Sequence, residues 1–390
     1  MSLTFADLGV PADLVSVLHA RDIATPSPIQ AAALPDALAG LDVCGRAPTG
    51  SGKTLAFGQA MVARLPKTAP GRPSGLVLVP TRELAAQVAA ELAPLAAARR
   101  RRVLSVYGGT GYTAQRKALQ RGSDIVVATP GRLEDLLTAG HLRLSDVAVI
   151  VVDEADRMAD MGFLPAVRRL LDATPPGRQT LLFSATLDDE VDVLVRHYQR
   201  QPRRHSVVDD NDGARVEHLF WQAPRDRRVA LTASLIDRHD RAIVFCRTRH
   251  GADRLARQLG ARGIGAAAIH GSRTQRQRER ALAAFKGGSI QALVATDIAA
   301  RGIHIDSLPC VVHFDPAADD KDYAHRSGRT GRAGAAGIVV TLVGDEHRAA
   351  VGDLQRRLGL PLRLDQPVAS RTTSNARRRR RHDSGNALPR

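Results

Sequence analysis

Short apolar runs alternate with longer amphipathic segments along most of this chain, and the alternation occurs twice. The first set of apolar runs covers 42–47, 75–79, 103–107, 124–128, 147–152 and 179–183, and the second covers 242–246, 265–269, 290–295, 309–314 and 337–343. Amphipathic segments such as 250–262 and 274–286 separate the runs of the second set. Strands buried on both faces and joined by helices are typical of parallel sheets. The pattern predicts an α/β fold with two parallel-sheet domains in tandem.

The domain boundaries follow from changes in composition. Residues 206–216 are polar, acidic and glycine-containing, which predicts a flexible linker between a first domain at 1–205 and a second at 217–365. The last stretch, 366–390, contains seven arginines and one aspartate among Ser, Thr and Asn, which predicts a disordered basic tail. The whole chain carries a net charge of +16, so a positive balance remains without the tail and favours a polyanionic partner.

The cysteines and the apolar segments bear on the compartment. Cys44, Cys246 and Cys310 each lie in an apolar run, which predicts buried thiols rather than a disulfide framework or a metal site. No signal-like N-terminus and no apolar stretch of about 18 residues is present, so we expect a cytoplasmic protein with no membrane partner.

A phosphate-binding loop is indicated by APTGSGKT at 47–54, between an apolar strand and an apolar helix. Glycines allow backbone N–H groups to surround phosphates, a lysine reaches the outer phosphates, and the final hydroxyl holds Mg²⁺. The candidate residues are Thr49, Gly50, Ser51, Gly52, Lys53 and Thr54.

An acidic pair follows the apolar run at 147–152. Asp153 and Glu154 stand at the carboxyl end of a buried strand, where open α/β sheets place their chemistry. We expect Asp153 to hold Mg²⁺ and Glu154 to orient and activate the water that attacks a γ-phosphate.

The second domain has an arginine cluster, HRSGRTGR at 325–332, and no phosphate loop. Arg326, Arg329 and Arg332 recur at spacings of three. They can stabilise charge on a γ-phosphate from across a cleft. A solvated basic loop and a contact to nucleic-acid phosphates are the alternatives. If the arginines contact a γ-phosphate, the site is completed between the two domains.

Taken in order, these motifs resemble those of the DEAD-box ATP-dependent RNA helicases over about 1–365. Besides the runs above and DEAD at 153–156, the matching motifs are PSPIQ at 26–30, PTRELAAQ at 80–87, Gly108-Gly109, ATPGRL at 128–133, SAT at 184–186, VFCRTR at 244–249, His270-Gly271 with Gln275 and Arg278, and ATDIAARG at 295–302. The resemblance implies two RecA-like domains, with ATP and Mg²⁺ as cofactors.

The resemblance also implies a role for each matching residue. Gln30 would read the adenine edge, Gly302 would contact the nucleotide, and Arg329 and Arg332 would be arginine fingers. Residues that couple the nucleotide site to domain closure would be Asp156, Ser184, Thr186, His325 and Arg326. Residues that follow the RNA backbone would be Pro80, Thr81, Arg82, Gly109, Thr129, Pro130, Gly131, Arg132, Arg249, Gly271 and Thr296. Such residue types grip phosphates and sugars, so sequence preference should be weak.

Two positions depart from the family pattern. Ile23 stands where the family usually has an aromatic residue that stacks on adenine, and Phe5 is a candidate for supplying part of that surface. His304 stands where the family usually has an aspartate that contacts the ribose, with Asp306 two residues on.

The function implied by the resemblance is RNA-stimulated ATP hydrolysis that separates short RNA duplexes or remodels RNA–protein complexes. Ribonucleoproteins or ribosomal precursors are possible partners, and the basic tail is either an RNA tether or a solvated end. An ATP-gated RNA clamp with slow hydrolysis is the alternative function. A DNA-directed translocase fits the motif set poorly.

Overall fold

The computed structural model describes residues 3–48, 50–207, 216–300, 305, 308–331 and 336–367. These residues form two α/β lobes; we call 3–207 the first lobe and 216–367 the second lobe. Most of the predicted linker and nearly all of the predicted tail lie outside the described residues.

The first lobe contains seven strands and nine helices among its described residues. The strands are β1 (Val43–Arg46), β2 (Gly75–Leu78), β3 (Val103–Val106), β4 (Ile125–Ala128), β5 (Val149–Asp153), β6 (Gln179–Ser184) and β7 (Arg203–Ser206). The helices are α1 (Ala12–His19), α2 (Pro28–Leu38), α3 (Lys53–Arg64), α4 (Arg82–Ala98), α5 (Tyr112–Gln120), α6 (Pro130–Thr138), α7 (Ala155–Asp160), α8 (Leu164–Asp172) and α9 (Asp189–Tyr198).

The second lobe repeats the alternation with six strands in the part of the chain that is described. They are β8 (Val216–Gln222), β9 (Ala242–Phe245), β10 (Ala266–Ile269), β11 (Ala292–Ala295), β12 (Cys310–His313) and β13 (Gly337–Val343). The helices are α10 (Arg228–His239), α11 (Arg249–Gly260), α12 (Gln275–Lys286), α13 (Asp297–Ala300), α14 (Asp320–Ser327) and α15 (Arg348–Arg357), with a 3₁₀ turn at Asp345–His347.

The two sheets have the same internal order. The first sheet runs β3-β4-β2-β5-β6-β1-β7 and the second runs β10-β11-β9-β12-β13-β8. Each strand of the second sheet therefore occupies the place of the strand seven numbers earlier, and β7 is an addition at the edge of the first sheet. The strand pairs within both described sheets are parallel. The predicted fold class is confirmed.

All eleven predicted apolar runs form strands, but two edge strands were not predicted. The strand β7 pairs with β1 and contains no apolar residue, so it gives no hydrophobic signal. The strand β8 pairs with β13 and mixes polar with aromatic residues. As a result, Ser206 belongs to the first sheet and Val216 to the second, although both fall in the segment predicted as linker.

Each sheet carries an aliphatic core on both of its faces, as the buried runs predicted. All three cysteines are free and buried inside these cores, which confirms the prediction of unpaired thiols. Burial raises the pKa of the Cys44 thiol to about 11 and that of Cys310 to about 12, so neither is a reactive thiolate near neutral pH. Within the described ranges, no helix combines the length and the hydropathy that crossing a membrane requires.

Candidate nucleotide site and nucleic-acid cleft

The predicted phosphate loop joins β1 to α3. Gly50 and Gly52 have φ values of +87° and +93°, in the left-handed region that favours glycine. A Cβ built on Gly52 would lie 2.5 Å from Nε2 of Gln30, so no larger residue fits there without displacing that side chain. Lys53 and Thr54 open α3, whose N-terminal end is suited to an anion. Thr49 lies outside the described residues.

Lys53 is buried at the base of this loop. Its Nζ atom donates a hydrogen bond to the carbonyl oxygen of Ala47, the first residue after β1, at 2.8 Å. Only 6% of Lys53 is exposed, so its ammonium group is held within the loop rather than in solvent. A buried cation at the start of a helix is suited to the outer phosphates of a nucleotide.

Gln30 is fastened to the phosphate loop through α2. Its Nε2 atom donates to the carbonyl oxygen of Gly52 at 3.0 Å, and its Oε1 atom accepts from the backbone N–H of Ser27 at 2.9 Å. The Ser27 hydroxyl donates to the carbonyl oxygen of Ser51 at 2.7 Å. A residue that contacts the nucleotide base would thus also fix the loop that surrounds the phosphates.

The surroundings of the predicted base site differ from one expectation. Phe5 is 1% exposed inside the first-lobe core and therefore does not supply a free face to a base. Ile23 is partly buried against the same core and leaves an aliphatic surface near the start of α2. His304, Asp306 and Gly302 lie outside the described residues.

The acidic pair lies at the carboxyl end of β5, as predicted. Asp153 is 3% exposed and its Oδ1 atom accepts from the backbone N–H of Glu154 at 3.0 Å. Burial raises the pKa of the Asp153 carboxyl to about 7, against the opposing charge of Lys53 and with the help of the Glu154 charge. Glu154 has a φ of +53° and accepts from Nη1 of Arg157 at 2.8 Å.

These residues fit a bound Mg²⁺. A carboxylate that burial makes hard to ionise gains more than an exposed one from a nearby divalent cation. Asp153 offers that carboxylate and Thr54 offers a hydroxyl at the start of α3, and both are hard oxygen ligands of the kind that Mg²⁺ takes.

A hydrogen-bond network joins the ends of β5 and β6. The Oδ2 atom of Asp156 accepts from both the backbone N–H and the hydroxyl of Thr186, at 3.0 and 3.1 Å. The Ser184 hydroxyl accepts from the backbone N–H of Asp156 at 3.1 Å. These hydrogen bonds connect the end of β6 to the start of α7, directly after Glu154.

The arginine motif of the second lobe begins on α14 and divides into two environments. Arg326 is 2% exposed and binds both carboxylate oxygens of Asp297, at 2.6 and 2.8 Å, and the carbonyl oxygen of Asp315 at 2.7 Å. Its guanidinium group also lies over the Phe245 ring. Arg326 thus packs within the second lobe. Arg329 is equally buried, at 2% exposed, but it lines a cavity between the lobes. Arg332 lies outside the described residues.

That cavity, which we call the catalytic cleft, has a volume of about 310 Å³. It brings together predicted residues of both lobes. Those from the first lobe are Asp156 and Thr186, and those from the second are His325 and Arg329. Lys321 spans the cleft, with Nζ 3.2 Å from Asp160 and 3.5 Å from Asp188. The sequence does not mark Lys321, Asp160 and Asp188, because isolated charged residues give no periodic signal.

A second cavity of about 370 Å³ collects most of the predicted RNA-backbone residues, and we call it the RNA cleft. The predicted residues that line it are Pro80, Thr81, Arg82, Thr129, Gly131, Arg132 and Gly271. Gly109, with φ of +83°, packs against the Arg82 side chain at the edge of this group. Pro130 is buried at the start of α6, and its side chain does not reach the cleft.

Two predicted RNA residues of the second lobe lie beside the cleft. Arg249 opens α11, and its Nη1 atom donates to the Ser272 hydroxyl at 2.8 Å, next to Gly271. Thr296 follows β11 and is 8% exposed, with its carbonyl oxygen accepting from α13. Neither side chain lines the RNA cleft itself.

A buried ion pair crosses the RNA cleft. Nη2 of Arg278 lies 3.0 Å from Oε1 of Glu83, and their side chains are only 10% and 6% exposed. Burial lowers the pKa of Arg278, while the Glu83 charge acts in the opposite direction. Both residues belong to motifs that match the family, Arg278 to the group that follows His270-Gly271 and Glu83 to PTRELAAQ. The sequence does not predict that they form an ion pair.

Two family models match the chain. The model described as DEAD/DEAH box helicase matches residues 27–194, and the one described as Helicase conserved C-terminal domain matches residues 227–334. These ranges fall in the first and second lobes.

Curated relatives and solved structures agree with those models. The DEAD-box ATP-dependent RNA helicase CshA of Bacillus subtilis is 38% identical over 346 residues, which cover 88% of this chain and 70% of the relative. DEAD-box ATP-dependent RNA helicase 9 of rice is 39% identical over 92% of this chain, but the matched part is 58% of the rice protein.

Among solved structures, yeast Dbp5 bound to RNA and ADP BeF3 has a TM-score of 0.79 at 25% identity and covers 91% of this chain and 93% of that one. A DEAD box protein from Methanococcus jannaschii has a TM-score of 0.53 at 31% identity, over 92% of this chain and 98% of that one. The lobes, the motif order and these likenesses agree. This chain belongs to the DEAD-box family of ATP-dependent RNA helicases and has two RecA-like lobes.

Proposed function

We propose that this protein is an RNA-stimulated ATPase that separates short RNA duplexes, or remodels RNA–protein complexes, when ATP and RNA close its two lobes. The observation that carries the proposal is that residues of both lobes line both clefts. In the catalytic cleft, Pro48 of the phosphate loop and Arg157, which donates to Glu154, lie opposite Arg329 of the second lobe, although Lys53 and Glu154 themselves do not line it. A ligand in either cleft therefore favours the same closed arrangement, which is how binding at one site changes affinity at the other.

In the nucleotide site, the chain's own residues divide the work of hydrolysis. The N–H groups of the phosphate loop and the Lys53 ammonium group bind the β- and γ-phosphates, and Glu154 orients the attacking water. Arg329 stabilises the charge that develops on the transferred phosphoryl group, together with Arg332 in the proposed mechanism. Mg²⁺, when bound at Asp153 and Thr54, supplies further neutralisation of phosphate charge.

Coupling follows the network at the ends of β5 and β6. Asp156 joins Thr186 and Ser184 on one side, and on the other it shares α7 with Asp160, which faces Lys321 and lies 3.9 Å from Nδ1 of His325. Lobe closure would therefore change the position of the segment that carries Glu154.

RNA would be held by its backbone. The RNA cleft offers hydroxyls, glycine N–H groups and arginines, which bind phosphates and sugars and read no base edges. The Dbp5 structure bound to RNA and ADP BeF3 supports a shared arrangement for this chain. Weak sequence preference is expected.

The experiment that tests the proposal is ATP hydrolysis with and without single-stranded RNA. We expect RNA to stimulate turnover, single-stranded DNA to stimulate it much less, and Glu154→Gln to abolish it. Equal rates with and without RNA would contradict the proposal.

An ATP-gated RNA clamp is the second candidate function. It is favoured by the aliphatic Ile23 surface where family members stack an aromatic residue on adenine, because weaker nucleotide coupling slows turnover. Duplex separation per ATP hydrolysed discriminates the two. A clamp retains RNA in the presence of ATP but releases little phosphate and separates no duplex. The first proposal requires both phosphate release and duplex separation.

A further inference from the structure

A third cavity, of about 610 Å³, lies wholly within the second lobe, away from both clefts. It opens at the carboxyl ends of β8, β9, β12 and β13. Its charged lining consists of Arg225, Arg228, Arg247, Arg254, Asp315 and Glu346. None of these residues has a role in the proposed hydrolysis of ATP.

The cavity occupies the place in the second sheet that the nucleotide site occupies in the first. Since each strand from β8 to β13 corresponds to the strand seven numbers earlier, the connection from β8 to α10 is the counterpart of the phosphate loop. The end of β12 likewise corresponds to the end of β5. Crevices outside the carboxyl ends of strands are where open α/β sheets bind ligands.

The correspondence extends to individual residues. Arg228 is the first residue of α10, as Lys53 is the first of α3. The Nε atom of Arg228 donates to the carbonyl oxygen of Ala223, the residue directly after β8, at 3.1 Å, which repeats the bond from Lys53 to Ala47. Nη1 of Arg228 also lies 3.9 Å from Asp315, which follows β12 as the acidic pair ends β5.

The two sites differ in what they offer a phosphate. The connection between β8 and α10 contains no glycine, and Pro224 lacks an N–H group, so its backbone cannot surround a triphosphate. Arginine side chains stand there instead. Arg228 is neutralised by Glu346 at 3.0 Å, but Arg225, Arg247 and Arg254 are exposed, and no described carboxylate lies within 4 Å of their guanidinium groups.

We propose that this cavity is a second anion site, in which Arg225, Arg247 and Arg254 bind phosphate groups. Three guanidinium groups without an ion-pair partner among the described residues line one concave surface, and they supply the N–H donors and the positive charge that phosphate oxygens bind. The N-terminal end of α11, capped by Thr248, adds the positive end of the helix dipole to the charge of these arginines.

Phosphates could reach the cavity from two sources. One is an RNA strand that extends beyond the RNA cleft, since α11 carries Arg249 on the side next to Gly271 and Arg254 on the opposite side. The other is a free phosphorylated small molecule. The RNA source rests on the proposed function, whereas the small-molecule source does not.

The test compares the wild-type full chain with a cavity variant, Arg225→Ala with Arg247→Ala and Arg254→Ala. The control carries Arg238→Ala, Arg257→Ala and Arg280→Ala, three exposed arginines elsewhere on the second lobe. With the nucleotide site saturated by Mg–ADP, calorimetry measures binding of inorganic tripolyphosphate. In parallel, the affinity for a long single-stranded RNA is measured as a function of salt concentration.

A small-molecule site predicts that the cavity variant loses at least about tenfold in tripolyphosphate affinity while the control does not. An RNA site predicts that the cavity variant lowers the slope of log K against log salt by about 2, because each phosphate contact on a single strand contributes about 0.7. If neither quantity separates the cavity variant from the control, the proposal is wrong. Because the calorimetry involves neither RNA nor hydrolysis, its result does not depend on whether RNA stimulates turnover.

Discussion

The two lobes have one strand order and opposite chemistry. In the first lobe, the connection after the first strand carries two glycines in left-handed conformations and leads into a helix that begins with a buried lysine. In the second lobe the same connection carries arginines and a proline. The sheets differ little, so the division of labour resides in the loops. One lobe can surround a nucleotide by itself, and the other can only approach it with side chains.

Polar residues on several strands and loops of the second lobe hold α14, the helix on which the arginine motif begins. Arg326 is fixed by Asp297, and the Tyr323 hydroxyl lies 2.7 Å from Nδ1 of His218 on β8. His313 packs edge-on against the Tyr323 ring. These contacts fix the position of α14. In the proposed mechanism, such positioning lowers the reorganisation that catalysis requires.

The largest expected effect comes from removing the contribution of the second lobe to the catalytic cleft. We expect Arg329→Ala to lower the RNA-stimulated kcat by about 10³, the lower end of the range for arginine fingers, with little change in nucleotide affinity. Arg257→Ala, an exposed change on the same lobe, is the control. Steady-state hydrolysis at saturating RNA measures the kcat of both variants. A loss of kcat smaller than about tenfold in Arg329→Ala would show that hydrolysis does not need Arg329.

The next test contrasts the counterparts Lys53 and Arg228. Lys53→Ala should lower kcat by about 10², as loss of a charge-stabilising donor does in other active sites. Arg228→Ala should instead destabilise the second lobe by about 1–3 kcal/mol, because Ala223 and Glu346 lose their buried partner. Hydrolysis per folded molecule and urea unfolding separate the two effects. Similar losses of kcat in both variants would contradict the assignment of a catalytic role to Lys53 and a structural role to Arg228.

A smaller effect is expected at the ion pair that joins the lobes across the RNA cleft. Arg278→Ala leaves Glu83 buried without its partner, so we expect RNA affinity in the presence of ATP to fall by about tenfold. Adding Glu83→Ala should restore part of that loss. Fluorescence anisotropy of labelled RNA measures both variants; additive losses in the double variant would show that the pair does not couple the lobes.

The smallest effect is a pH dependence confined to the second lobe. Burial, with the charge of Arg326, holds the pKa of His313 well below its ordinary value of 6.5. The unfolded chain therefore binds a proton that the folded lobe does not, and the stability present above about pH 6.5 declines as pH falls, by about 1.4 kcal/mol per unit.

Urea unfolding followed by Trp221 fluorescence reports on this lobe, because Trp221 is the single tryptophan of the chain and is buried there. His313→Gln should reduce the decline between pH 7 and 5.5. An unchanged decline would assign the acid sensitivity to other groups, of which His218, whose pKa is also lowered by burial, is the first to examine.

Much of this architecture was predictable from sequence because parallel strands buried on both faces leave continuous apolar runs. The phosphate loop and the acidic pair were predictable because their chemistry needs particular residues at fixed positions after a strand. The edge strand β7 was not, since it contains only polar residues and is defined by its pairing with β1. The Glu83–Arg278 ion pair was not predictable either, because contacts between lobes depend on tertiary geometry alone.

The two-lobe account is tested most directly by energy transfer between fluorophores on the lobes. Cysteines introduced at the exposed positions Thr138 and Asp237 can be labelled selectively, because the three native thiols are buried. Energy transfer should change strongly when ATP and RNA are added together, and only weakly with either alone. In Glu154→Gln the changed state should persist. The same transfer under all four conditions would contradict the claim that both ligands act by bringing the lobes together.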